Sequence, residues 1–205
     1  MDAADNPDQP GPLRLSSNET ELLYRTTCRL VEAAAHQAPT TIREYDLGRL
    51  PKCPLVGVFV TLRKNGELRA CIGNFATDMV LGSALERAAW GAVNHDPRFP
   101  PVTPDELPDL TITVSLLHTR ELIEGSAEER VKQVVIGQHG LDIQYRGCKG
   151  LLLPNVAVDL GLDAVGFLEA VCRKANLPPD AWRNPEATLY RFSAVAFGGP
   201  WIPAE

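Results

Sequence analysis

Three adjoining stretches constrain this chain more than any others: Val56-Gly57-Val58-Phe59-Val60-Thr61-Leu62, the dipeptide Asn65-Gly66, and Leu68-Arg69-Ala70-Cys71-Ile72-Gly73. β-Branched residues suit a pleated surface, and Asn-Gly best accepts the positive φ angles of a tight hairpin turn. The spacing therefore predicts an antiparallel hairpin. With Asn65 and Gly66 alone as the loop, Leu62 is expected opposite Arg69 and Val60 opposite Cys71. Alternation puts Arg69 and Cys71 on one face, with Leu68, Ala70 and Ile72 on the other.

The remaining pattern surrounds that hairpin with helices and further strands. Asn18 and Glu21 read as a cap for a first helix, whose buried face carries Leu22, Leu23, Thr26, Leu30, Ala33 and Ala34. Cys28 reads as a small core filler on it, and His36 as an exposed residue at its end. Thr77 to Val93 is alanine-rich, with Val80, Leu81, Ala84, Leu85, Ala88 and Ala92 at helical spacing, and it should stop before Asn94-His95-Asp96-Pro97. Thr103 and Glu106 frame a capping box with Pro104 at the first helical position. Leu110, Ile112, Val114 and Leu116 alternate with hydroxyl residues, as a half-buried strand does. Leu141–Tyr145 and Leu151–Leu153 flank a glycine-bracketed turn at Arg146–Gly150. A helix over Val165–Ala175 capped by Asp163, a short one starting at Pro178, and a last strand over Thr188–Phe192 follow. Hairpins dominate this strand order, so the expected class is α+β with a largely antiparallel sheet and packed helices.

Composition removes several alternatives. The chain has 205 residues and a net charge of −6, half of it from three aspartates in a polar lead-in over residues 1–13 that is expected to be disordered. Residues 14–205 are expected to form one domain. No apolar run is long enough to cross a bilayer, and no export signal is visible. The cysteines Cys28, Cys53, Cys71, Cys148 and Cys172 are odd in number and form no C-x-x-C pair, which predicts reduced thiols and a cytoplasmic setting. His36, His95, His118 and His139 show no metal-ligand spacing. No phosphate loop or dinucleotide fingerprint is present, so no metal is assigned and the cofactor is left open.

Three places could carry chemistry. A guanidinium beside a thiol favours the thiolate, so Arg69 and Cys71 could form an anion binder and a nucleophile or soft ligand. The plain alternative makes Cys71 one more buried small residue. Asp96-Pro97-Arg98-Phe99-Pro100-Pro101 is a rigid loop that could present Asp96, Arg98 and Phe99 to a ligand, or lock a helix onto the sheet through an Asp96–Arg98 pair. Glu106 has a ready explanation as a cap residue. His139, between Gly137 and Gly140, could serve as general base to Cys71.

Eight blocks now stand in a fixed order: Phe59–Leu62, Leu68–Gly73, Asp96–Val102, Glu106-Leu107, Val114–Leu117, Gly137–Gly140, Leu152–Pro154 and Cys172–Ala175. Together they resemble the AMMECR domain family, named after an Alport-syndrome deletion region, over roughly residues 15–200. The resemblance implies an α+β domain with two intimate lobes and a cleft near the signature Leu68–Gly73. It also implies a bacterial relative of the kind associated with Memo-like proteins and a radical-SAM enzyme, and brings no settled reaction with it. Ala70 replaces the signature glycine. Leu162 stands where a tryptophan is common, and Asn155 and Asn176 replace a glutamine and a glycine.

The leading expectation is a component that binds a ligand or partner in a Memo-like and radical-SAM pathway. Its cleft is formed by Arg69, Gly73, Asp96, Arg98, Phe99 and Glu106 around Cys71. The alternative is a cysteine-dependent enzyme acting on a small molecule or modified RNA, with Cys71 and His139 as its catalytic residues. Arg69, Arg98, Arg146 and Lys149 raise nucleic-acid binding as a third class, against which the acidic balance argues.

Overall fold

The hairpin sets the frame. In the computed structural model, which describes residues 13–38, 47, 55–75 and 80–203, β1 (Leu55–Lys64) and β2 (Glu67–Phe75) pair antiparallel around Asn65 at φ 52° and Gly66 at φ 83°. The other elements are α1 (Ser17–Ala35), α2 (Leu81–Asn94), β3 (Leu110–Ile123), α3 (Ala127–Lys132) and β4 (His139–Tyr145). After them come β5 (Cys148–Leu152), α4 (Pro154–Asp159), α5 (Ala164–Lys174) and β6 (Thr188–Pro200), with 3₁₀ turns at Pro104–Asp109 and Ala181–Arg183. The six strands form an antiparallel sheet in the order β2-β1-β3-β6-β4-β5, the α+β class expected from the pattern. No described helix is long and apolar enough to cross a membrane.

The chain divides into two units, residues 1–118 with 195–205, and residues 119–194. In the first, Val58, Val60, Leu62, Ala70, Ile112 and Val114 form a buried core with α1 and α2 residues such as Leu23, Val31, Ala84 and Ala88. Small residues let α2 lie close on the hairpin: a Cβ on Gly91 would stand 2.7 Å from the Ile72 side chain. In the second, Leu141, Ile143 and Leu189 pack with Phe167, Leu168, Val171 and Trp182.

Several local expectations shift. The α1 cap is Ser16 with Glu19, not Asn18 with Glu21, and Leu22 is exposed. Helix α2 begins at Leu81 with Val80 as an exposed N-cap, while Thr77–Met79 and the start expected there lie outside the described residues. The lead-in over residues 1–12 and Cys53 lie outside them too; Leu13 is buried. The hairpin register moves by one. Lys64 faces Glu67 and Arg63 faces Leu68, but Leu62 then faces Ala70, which makes Arg69 the extra residue of a β-bulge. Cys71 therefore opposes Thr61 rather than Val60. Ala70 still turns into the core.

In the second unit, β4 and β5 are joined by Arg146 and Gly147 at positive φ, a tighter turn than Arg146–Gly150. His139 opens β4 instead of lying in the turn, whose positive φ belongs to Gly137. β6 runs to Pro200, well past Phe192, and α3 and α4 are short helices that the hydrophobic pattern did not announce.

Gly150 illustrates how tightly α5 covers β5. A Cβ there would meet the Ala175 nitrogen at 2.7 Å and the Val171 carbonyl oxygen at 2.8 Å, both backbone atoms with little room to move. Gly150→Ala should therefore destabilise the chain by about 1–3 kcal/mol, read as a lower urea midpoint at unchanged slope.

Candidate functional site

The site grows from the free edge of β2. Thr61 and Cys71 oppose each other across the hairpin, and the Thr61 hydroxyl donates to Cys71 Sγ at 3.2 Å. The Cys71 backbone N–H and C=O do not go to a strand. The N–H donates to Asp96 Oδ2 at 2.8 Å, and the carbonyl accepts from Arg98 Nη2 at 3.3 Å. An edge strand's unpaired groups are thus satisfied by two side chains of one loop.

That loop is shaped by its own sequence. Asp96 and Pro97 open a turn in which the Asp96 carbonyl accepts from the Phe99 N–H, and Asp96 Oδ1 accepts from the Arg98 N–H. The Arg98 guanidinium then folds back, with Nε on Oδ1 at 2.9 Å and Nη2 on Oδ2 at 2.7 Å. The Asp96 side chain is 2% exposed and that of Arg98 48%. The Arg98 Nη1 makes no hydrogen bond among the described residues.

Arg69 is held the same way. Its Nε and Nη2 each meet Glu106 at 2.9 Å, and its Nη1 and Nη2 donate to the carbonyls of Pro100 and Pro101. Glu106 keeps its cap role as well, accepting the Thr103 N–H, and it also meets Lys64. The Phe99 ring lies near both cations, 6.0 Å from the Arg69 guanidinium carbon and 5.5 Å from that of Arg98. The guanidinium that meets Cys71 is thus that of Arg98, while Arg69 is committed to Glu106 and the proline carbonyls.

Cys71, Arg69, Asp96, Arg98, Phe99 and Glu106 all belong to the first unit and interlock there. Gly73 joins them through packing: Phe59 stands opposite it, and a Cβ on Gly73 would fall 2.2 Å from that ring. His139 belongs to the second unit, where its Nδ1 accepts the Val135 N–H. Burial and the nearby Arg191 push its pKa below the ordinary histidine value. Among the described residues no group of three or more His, Cys, Asp or Glu side chains is placed to hold a metal. Thr61 escaped the sequence reading because a single bulge decides which residue faces the sulfur, and the proline carbonyls leave no sequence signal.

The two carboxyls titrate low. Hydrogen bonds from Arg98 hold Asp96 down to about 2, and those from Arg69 hold Glu106 down to about 2, in both cases against the upward push of burial. A depressed folded-state pKa means the unfolded chain binds more protons in this range. The stabilisation is complete above the ordinary values of 3.8 and 4.5 and is lost as pH falls toward 2. Acid unfolding should steepen over that window, and Asp96→Asn with Glu106→Gln should flatten it while lowering stability at pH 7. Urea midpoints measured from pH 6 to pH 2 check this.

Comparisons with known proteins follow the same outline. A family model described as AMMECR1 matches residues 23–197. Protein TK0174 of Thermococcus kodakarensis is 46% identical over 147 residues, 69% of this chain and 72% of its own. A protein of Thermococcus onnurineus is 40% identical over 190 residues, 90% of this chain and 92% of its own. The crystal structure of the uncharacterised protein PH0010 from Pyrococcus horikoshii is similar with a TM-score of 0.82 at 35% identity, over 93% of this chain and 97% of that one.

Proposed function

The chain belongs to the AMMECR1 family, and on that premise we propose that it is a binding component rather than a catalyst in its own right. Its ligand or partner segment docks at the edge of β2, around Cys71, Arg98 and Phe99, with Arg69 fixed behind them. One observation carries this reading: the polar groups around Cys71 are already spent on holding one another. Asp96 accepts four hydrogen bonds, from the Cys71 N–H and from three donors of Arg98. Among the described residues the sulfur's hydrogen-bond partner is a hydroxyl, and no histidine or free carboxylate touches it. A rigid, preorganised surface with one outward guanidinium edge suits recognition. Memo-like and radical-SAM proteins, which the family resemblance implies, are the proposed context.

Alkylation tests the choice between binding and cysteine chemistry. Iodoacetamide labelling of the Cys71 peptide, followed by mass spectrometry, should be slower in the native chain than in the urea-unfolded chain at the same pH. Cys71→Ser should keep the binding of a partner identified by co-purification, and Arg98→Met should weaken it about tenfold or more. Native labelling faster than that of the unfolded chain, or turnover abolished by Cys71→Ser, would make the protein a cysteine enzyme instead.

A further inference from the structure

Four arginines aim the Nε–Nη2 edge of the guanidinium at a carboxylate: Arg69 at Glu106, Arg98 at Asp96, Arg120 at Asp142 and Arg191 at Glu121. That edge carries two parallel N–H vectors matched to the two oxygens of a carboxylate or phosphate. Arg130 departs from the pattern, and at 6% exposure it is the one buried arginine of the described chain. It lies on α3, which the Ser126–Glu129 capping box starts. Its Nη1 donates to the Trp182 carbonyl at 2.7 Å and the Asn184 carbonyl at 3.1 Å, clamping the end of the turn Ala181–Arg183.

The clamp accounts for only one side of the guanidinium. Arg130 Nε is buried and has no hydrogen-bond partner among the described residues, and Nη2 makes none there either. The indole Nε1 of Trp182 is a second buried donor left without a partner. Nearby carboxylates are occupied: Glu129 closes the capping box, and Glu128 interacts with Ser126, Arg183 and Lys132. A further cation, Arg183, lies with its guanidinium carbon 4.4 Å from the centre of the Trp182 ring. Burial pulls the Arg130 pKa down, whereas at Arg98 the carboxylate of Asp96 pushes it up. Asp96 and Asp142, the buried carboxylates of the described chain, each have an arginine. Among the described residues, Arg130 is a buried cation with no carboxylate bonded to it.

We propose that the Nε–Nη2 edge of Arg130 is a binding site for a small oxyanion, a carboxylate or phosphate group. The site lies wholly in the second unit and does not depend on the reading of the β2 edge.

Thermal unfolding of the full chain in sodium phosphate, sodium acetate and sodium chloride, at matched ionic strength and pH 7, tests it. The melting temperature should rise with the logarithm of phosphate or acetate concentration once that concentration passes the dissociation constant, and should not do so with chloride, as mass action requires of a site present only in the folded state. Arg130→Lys keeps the charge and loses the fork. It should move the onset of this logarithmic rise to at least tenfold higher concentration, leaving below that onset only the shallow effect that phosphate exerts on any protein. The same onset in both proteins, or no logarithmic rise in the wild type, overturns the assignment. Should Arg130→Lys fail to fold, the Arg130 Nε–H resonance of the ¹⁵N-labelled wild type decides. It should move along a saturating binding curve with added phosphate but not with chloride, and a stationary resonance rejects the site.

Discussion

The carboxylate of Asp96 closes the edge of the sheet. It takes the Cys71 N–H that a neighbouring strand would otherwise take, and its partner Arg98 supplies the donor for the Cys71 carbonyl. The loop can reach because Asp96 and Pro97 turn it just past the end of α2, where the Val102 N–H meets the Val93 carbonyl. Helix α2 is itself pressed against the hairpin through alanines and Gly91. The packing of the helix, the direction of the loop, the sealing of the edge and the position of the sulfur are therefore one linked arrangement. Losing the carboxylate would strand the part-buried Cys71 N–H and free Arg98 together.

A second constraint acts across the strands, and it recurs. Phe59 lies over Gly73 in the first unit, and Phe192 lies over Gly140 in the second, where added Cβ atoms would fall 2.2 Å from each ring. An aromatic ring over a glycine on the adjacent strand pins register, since a slip by one residue would set the ring against a side chain. Gly73 is thus required by Phe59 before any ligand is considered. Ala70 tells the same story from the core side. It stands where the family signature carries a glycine, and it turns its methyl into the packed interior beneath the hairpin.

The elements that sequence made legible were those with a local cause. The hairpin turn at Asn65-Gly66, the Thr103–Glu106 capping box and the Asp163 cap of α5 appear as expected, because a few adjacent residues dictate each. Asn176 has a local cause of this kind too: it sits at φ 56° just past α5, a left-handed position that glycine fills most readily and asparagine tolerates. What stayed hidden depended on partners distant in the chain. The bulge at Arg69 is one extra residue that spacing does not signal, and it alone decides that Thr61 faces Cys71. The Asp96–Arg98 pair was readable as an alternative, but its grip on the Cys71 backbone was not, because that needs the loop folded over an edge far back in the sequence. Arg130 gave no signal at all, since one arginine in a short helix resembles any surface residue until its burial is seen.

The charge pattern also separates holding from proton transfer. A general base near a thiol needs a free lone pair and a pKa near the working pH. Asp96 has neither: its oxygens accept four hydrogen bonds and its proton leaves near pH 2. Glu106 is similarly committed to Arg69, Thr103 and Lys64, and its own pKa is about 2. Carboxylates tied this firmly aim guanidinium groups and do not exchange protons with a substrate at neutral pH. Among the described residues, Nη1 of the half-exposed Arg98, beside the Phe99 ring, is a donor at the edge of β2 that makes no hydrogen bond. On the binding reading proposed above, such a surface would discriminate by shape and by acceptor placement, held rigid by the bonds that occupy Asp96 and Glu106.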